Sequence, residues 1–333
     1  MEYIAHIRQA DRQVQTVKDH LQEVRTDCER YGAKIGASHL AGLAGWLHDV
    51  GKNTIAFKNY IQEAAAHPET PPRRGSVDHS TAGGRLLYRR FHQRAASFDD
   101  KLVAEWIGNC IISHHQGLRD FLDPESASPF LERVARKELK EYEQAEAAFF
   151  DNVAETEFEQ YVVQAKAELR ELLGLIQQHG LPPITSSLLI KYLFSCLIDA
   201  DRTNTRRFEE GTGPEPEMDR ASFFRKSYQA LMDKMAELDR AADADHPINR
   251  LRREMSRQCD EFAARPSGIY TLSIPTGGGK TLASLRYALK HALTYGKERI
   301  IYIVPYTTII EQNAREIRDI IRYDEMILEH HSN

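Results

Sequence analysis

The chain has 333 residues, with 44 Lys and Arg against 49 Asp and Glu for a net charge of −5, which leaves room for two ordinary domains and excludes a broadly basic surface for neutralising the phosphates of duplex DNA. Its apolar runs are too short to span a bilayer, and the charged start MEYIAHIRQADRQ is no signal peptide, so a cytoplasmic protein is expected. The four cysteines, Cys28, Cys110, Cys196 and Cys259, contain no C-x-x-C pair, which excludes a zinc ribbon; three lie in apolar helical runs and are expected in the core.

Residues 1 to about 205 read as a helical bundle. In TVKDHLQEV an apolar stripe of Val17, Leu21 and Val24 carries His20. In AGLAGWLHDVGK, Leu40, Leu43, Leu47 and Val50 recur at helical spacing, which puts His48 and Asp49 near a helix end with Gly51 as its stop. Neighbours on a helix point about 100° apart, so this imidazole and this carboxylate flank one spot. A carboxylate also has two oxygens with which to bridge two cations, where a histidine nitrogen serves one.

Further candidate ligands follow. His79 sits among small residues in VDHSTAGG, His114 and His115 end the apolar run NCIISHHQG, and Asp199 and Asp201 close LLIKYLFSCLIDADR. An acid closing so apolar a helix is costly to bury unless it is paired or binds a metal. Each residue alone fits a core or surface role; their recurrence favours a metal centre. His39, His67, His92, His179 and His291 match no motif and are expected to be solvated.

The helix-prone segment from Pro129 to about Gln178 reads as bundle rather than site. Arg73 and Arg74, Arg85, Arg89 and Arg90, and Arg202, Arg206 and Arg207 are the basic clusters; Arg89 and Arg90 are expected to be a solvated face. RRFEEGTGPEPEMDRAS, rich in Gly, Pro and Glu, marks a boundary near residue 215, and helical sequence from Phe223 to Phe262 follows it.

A β-prone run, Ile269 to Ile274, then leads into PTGGGKT and an amphipathic helix with Leu282, Leu285, Ala288 and Leu289. Strand, glycine loop and helix in that order make a phosphate loop. Thr276, Gly277, Gly278 and Gly279 would offer backbone N–H groups to phosphates, Lys280 charge to the β and γ groups, and Thr281 a hydroxyl to magnesium. Ile274 stands where the strict pattern has its first glycine. ERIIYIVPYTTIIEQNA reads as a buried parallel strand, Ile300 to Val304, a turn and a helix, and His330 and His331 as a helix-end pair.

These segments resemble a known family. An upstream His, a His-Asp doublet, further His and a late Asp are the order of the HD-domain metal phosphohydrolases. HDVGK, DHSTAGG, SHHQG and DADR are similar to the HD nuclease of the CRISPR-associated nuclease-helicases that degrade DNA in type I interference, which place a superfamily 2 helicase directly after it. The resemblance implies one divalent cation on His20, His48, Asp49 and Asp201, a second on Asp49, His79, His114 and His115, and Lys52 facing the scissile phosphate, with His48 and Asp49 catalytic. Asp201 fits its Ala-Asp step, with Asp199 left open as the alternative late ligand. Mixed nitrogen and oxygen ligands suit Fe, Mn, Ni, Co or Zn better than Mg.

PTGGGKT looks like helicase motif I, and Tyr306, Thr307 and Thr308 would touch a DNA backbone in motif Ia, with Gln312 and Asn313 following. No acidic motif II follows, so the chain is expected to be the N-terminal piece of a longer motor: an HD nuclease domain at 1–215, a helical connection at 216–265 and an incomplete RecA-like α/β segment at 266–333. Expected partners are single-stranded DNA and an RNA-guided surveillance complex, with ATP and Mg on the complete motor, no membrane, and a monomeric state. The competing expectations are an HD phosphohydrolase acting on nucleotides and a non-catalytic docking or nucleotide-sensing module.

Overall fold

A computed structural model describes residues 2–93, 97–213, 218–240 and 245–330; the centre of the expected linker and His331 lie outside the described residues. The chain forms two compact units, Met1–Pro214 and Glu215–Asn333. It is mainly helical, with a single two-stranded sheet among the described residues.

The first unit opens with an antiparallel hairpin, β1 (Ile4–Ile7) and β2 (Val14–Thr16), where an all-helical bundle is expected from the sequence. Strands this short give little periodicity to read. Helix α1 (Val17–Gly32) follows at once, with Thr16 as its cap accepting from the Asp19 N–H, and buries Val17, Leu21, Val24 and Cys28 on one stripe. Helix α2 (Ser38–Leu47) is apolar all round, and the residues from Leu40 to Leu47 are all buried, so it runs through the centre of the unit. Then come α3 (Ile55–Ala66), α4 (Ala82–Leu87) and α5 (Phe98–Ser113), the last started by a reciprocal Ser97–Asp100 capping box.

The helix-prone segment from Pro129 comprises α6 (Pro129–Leu131), a π turn at Glu132–Arg136, α7 (Tyr142–Phe150) and α8 (Glu155–Gln178). Helix α9 (Ile184–Glu210) closes the unit. Helices α1, α5, α8 and α9 all pack on α2. Trp46 of α2 meets Phe149, Phe158 and Tyr161 at ring separations of 5.7, 6.0 and 5.2 Å, adding oriented aromatic contacts to plain burial.

The second unit holds α10 (Arg220–Asp239), α11 (Pro247–Phe262), α12 (Lys280–Tyr295) and α13 (Thr307–Ile321). Phe224 and Leu231 pack with Leu285, Leu289, Ile317 and Ile320. The two expected strands, Ile269 to Ile274 and Ile300 to Val304, have no strand conformation, and Ile269, Ile301 and Ile303 are exposed. A parallel strand exists only through its ladder to a neighbour, and neither run has one among the described residues. No described helix is long and apolar enough to cross a membrane.

Candidate metal centre

Three packed helices deliver the deeper half of the centre. His20 lies on the buried stripe of α1, His48 caps the end of α2, and Asp49 follows where the chain leaves the helix. The fourth residue comes from inside α9, which runs nine residues past Asp201 rather than ending at the acids. Asp199 and Asp201 are two steps of about 100° apart on that helix, so they face nearly opposite ways: Asp201 turns into the centre, while Asp199 is exposed beside Thr203.

Both imidazoles crowd the acids. His20 Nε2 and His48 Nε2 are 3.3 and 3.2 Å from Asp49 Oδ2, 3.6 and 3.5 Å from Asp201 Oδ1, and 3.2 Å from each other. The other oxygen of Asp49 faces a second set: Oδ1 is 3.4 Å from His114 Nε2 and 3.8 Å from His79 Nε2, and His79 Nε2 is 2.7 Å from His115 Nε2. Asp49 thus stands between two quartets whose ligand atoms lie within 4.8 Å of one another. His20 and His48 are fully buried, whereas His115 is exposed, so the second quartet is the side open to solvent.

The outer hydrogen bonds fix which nitrogen is bare. His48 Nδ1 and His114 Nδ1 donate to the carbonyls of Gly45 and Ile111, which only accept. His20 Nδ1 faces Asn204 Oδ1 at 2.8 Å, and the Asn204 amide is oriented by its own N–H bond to Glu23. The Nε2 atoms of all three histidines therefore converge on Asp49. His114 Nε2 and Asp49 Oδ1 are buried without any hydrogen-bond partner. Acceptors this close repel unless a proton or cation lies between them, so the residues present fit a metal pair.

Burial pushes His79 and His115 down to about 4, which keeps them neutral as ligands must be. Burial also opposes charge on His48, but Asp49 and Asp201 outweigh it and raise it to about 10. Burial works against ionising Asp49 as well; Lys52 and the histidines overcome that and hold its carboxyl well below the usual range. Two ionised carboxylates, Asp49 and Asp201, thus face the neutral His79 and His115 and draw positive charge onto His48, an environment that favours a cation. Asp201→Asn is expected to weaken cation binding at the deep quartet by at least about 10-fold, the lower end of what loss of even an outer partner costs, while Asp199→Asn changes it less than about two-fold. Titration of both variants with Mn²⁺ checks this, and equal losses would reverse the assignment of Asp201.

Lys52 is buried, its Nζ 2.8 Å from Asp49 Oδ2 and 3.2 Å from His6 Nε2. His6 is a participant that no sequence motif marks. It arrives from β1, its ring 4.9 Å from that of His20, and burial holds it well below its ordinary value, so it accepts from the ammonium. Gly51 is not the helix stop, because α2 ends at Leu47 with His48 as its cap and Gly51 lies inside a 3-10 turn, Val50–Lys52; its part is steric, since a Cβ there would lie 2.7 Å from His79 Cα and against the His79 carbonyl.

The unassigned histidines are not all solvated: His39 pairs with Glu168 at 2.7 Å, His92 with Glu105 at 2.8 Å, and His291 stacks on Tyr287, leaving His67 and His179 exposed. Arg85 is buried; Arg89 is exposed as expected, beside the exposed Glu143, while Arg90 is half-buried against Glu146 and Glu155. All four cysteines are buried and free.

In the second unit Gly277 and Gly279 have φ of 80° and 78°, left-handed values that admit glycine readily and other residues only with strain. They bend the loop into the first turn of α12, whose first residues are Lys280, exposed, and Thr281. Thr281 Oγ1 is 3.5 Å from Asn313 Oδ1 of α13, and Arg252 Nε donates to the Gly277 carbonyl. Thr276 is exposed and Gly278 buried. Tyr306 precedes α13, exposed like Thr308, with Thr307 half-buried.

Residues 8–178 match the family model of the Cas3 HD domain, which stops short of Asp201, and residues 261–332 match that of the DEAD/DEAH box helicases. The CRISPR-associated nuclease/helicase Cas3 of Haloferax volcanii is 26% identical over 303 residues, covering 81% of this chain and 31% of that protein. Crystal structures of T. fusca Cas3 with ADP and with ATP are 18% identical, with TM-scores of 0.42 and 0.39, covering 98% and 96% of this chain and 38% and 37% of theirs. The chain spans about a third of the length of these relatives.

Proposed function

This chain belongs to the Cas3 HD-domain family, and we propose that its metal centre is an endonuclease site hydrolysing phosphodiester bonds of single-stranded DNA in CRISPR type I interference, an antiviral defence. The observation that supports this most is Asp49 standing between two ligand quartets. His20, His48, Asp49 and Asp201 would hold one divalent transition-metal ion, and Asp49, His79, His114 and His115 the other; such a pair supplies an activated water and charge on the attacking and leaving oxygens.

The chain's own groups do the rest. Asp49, kept ionised by Lys52, presents Oδ2 to one quartet and Oδ1 to the other and would serve both cations. Asn204, Gly45 and Ile111 hold each imidazole with Nε2 inward. Lys52, gripped between Asp49 and His6, offers charge to a phosphate oxygen entering beside it. A strand would approach over His115 and His79, the accessible edge.

On this reading residues 1–215 form the nuclease domain, 216–265 connect it, and 266–333 open a superfamily 2 motor. There Thr276 to Thr281 take ATP and Mg, while Tyr306, Thr307 and Thr308 touch the strand. An RNA-guided surveillance complex supplies that strand to a cytoplasmic monomer.

Closed single-stranded circles incubated with the reconstituted protein and Mn²⁺, Ni²⁺, Co²⁺ or Fe²⁺ should be opened and degraded without ATP. Lys280→Ala should cut at the wild-type rate, because every proposed ligand lies outside the phosphate loop. Intact circles alongside hydrolysed free nucleotides would replace the nuclease by a nucleotide phosphohydrolase.

A further inference from the structure

The two quartets are held in place by different means. His20, His48 and Asp201 ride on or at the ends of α1, α2 and α9, whose packing sets their spacing. His79 lies in an irregular stretch, and His114 and His115 lie just beyond the last turn of α5. The His79 segment runs into α4, which packs on α5, but no ladder or shared helix joins the ligand residues themselves, whose nitrogens meet.

One side chain ties them together. Arg133, in the π turn after α6, donates from Nε to Thr81 Oγ1 at 2.8 Å, from Nη2 to Ser80 Oγ at 2.7 Å, and from Nη1 to the Ile112 carbonyl. Ser80 and Thr81 directly follow His79, and Ile112 is two residues before His114. The Ile112 carbonyl belongs to the last turn of a helix, where carbonyls lack helical partners. The guanidinium fork reaches acceptors on both segments at once, a planar geometry that an ammonium cannot copy.

Arg133 is itself anchored. Val134 and Phe130 pack on Ile112, and Arg85 donates to the carbonyls of Val134 and Lys137. Asp78 completes the clamp, accepting from the Thr81 N–H and hydroxyl at 3.1 and 2.7 Å and pairing with Lys137.

We infer that Arg133 is a positioning residue for the solvent-side cation: it sets the spacing of His79 from His114 and His115, and so the affinity of that position, without itself binding metal or substrate. The inference rests on the two-cation reading above. Losing an outer partner of a metal ligand typically costs about 10–100-fold in affinity, and that loss should fall on one position only.

Mn²⁺ titration by calorimetry and electron paramagnetic resonance, on wild type, Arg133→Lys and Thr81→Val, separates the possibilities. Expected are two binding events in the wild type, and in both variants a second event weakened about 10–100-fold with the first moved less than about two-fold. Cleavage should return at high Mn²⁺. Arg136→Met, on the same turn but exposed and paired with Glu132, should bind like wild type. A single event in the wild type would sink the two-cation reading itself. Two wild-type events with unchanged affinities in Arg133→Lys, or equal weakening of both, would overturn the role of Arg133 alone; should Arg133→Lys not fold, the same criteria apply to Thr81→Val.

Discussion

Asp49→Asn is expected to reduce cleavage of single-stranded circles to background and to remove cation binding at both positions, the largest functional loss of any single substitution at the centre. The amide keeps the shape of the side chain but loses the charge, and both carboxylate oxygens are engaged: Oδ2 between His20 and His48, Oδ1 toward His79 and His114. Lys52 also loses its buried counter-ion, so the pocket becomes net repulsive to a cation. Thermal melts with and without metal give a second measurement. A protein that binds a cation only when folded gains about 2.7 kcal/mol at 100 times the dissociation constant; the wild type should show such a gain and Asp49→Asn none. A variant that still binds one equivalent with wild-type affinity would mean that Asp49 bridges nothing.

Gly51→Ala is expected to combine a stability loss of about 1–3 kcal/mol, the usual cost of forcing a methyl into a closed space, with failure of the solvent-side cation position. The added Cβ would meet the Cα and carbonyl of His79, which are backbone and cannot swing aside as a flexible side chain could. The His79 segment must retreat, which widens the gap from His79 Nε2 to Asp49 Oδ1, while α1 and α9, which carry His20 and Asp201, are untouched. Denaturant melts and Mn²⁺ titration together check both parts. Full stability with two intact binding events would show that the His79 segment yields freely.

The proposed metal ligands were legible in the sequence because ligand chemistry is written in residue types: His-Asp in adjacent positions, a histidine pair, and an acid in an otherwise apolar helix are costly arrangements that recur too often here to be solvated faces. Helical periodicity placed α1, α2, α5 and α9, and the glycines around Lys280 mark a loop whose φ values they alone adopt easily. Local signals of that kind sit within a few residues and need no partner.

What required tertiary structure is whatever depends on two distant segments meeting. The choice of Asp201 over Asp199 followed from α9 continuing past both acids, so that helical rotation turned one inward and one out. His6 reached Lys52 from a short hairpin too brief to show a period, and Arg133 joined the His79 and His114 segments from a stretch whose charge pattern reads as ordinary bundle. Ile269 to Ile274 and Ile300 to Val304 have the residues of strands without the conformation, because β propensity describes fitness for a sheet and only a hydrogen-bonded neighbour makes one. The sequence determined which groups are available for the chemistry. Packing decided their spacing, because a distance between residues far apart in the chain is set by the helices and side chains that fill the space between them.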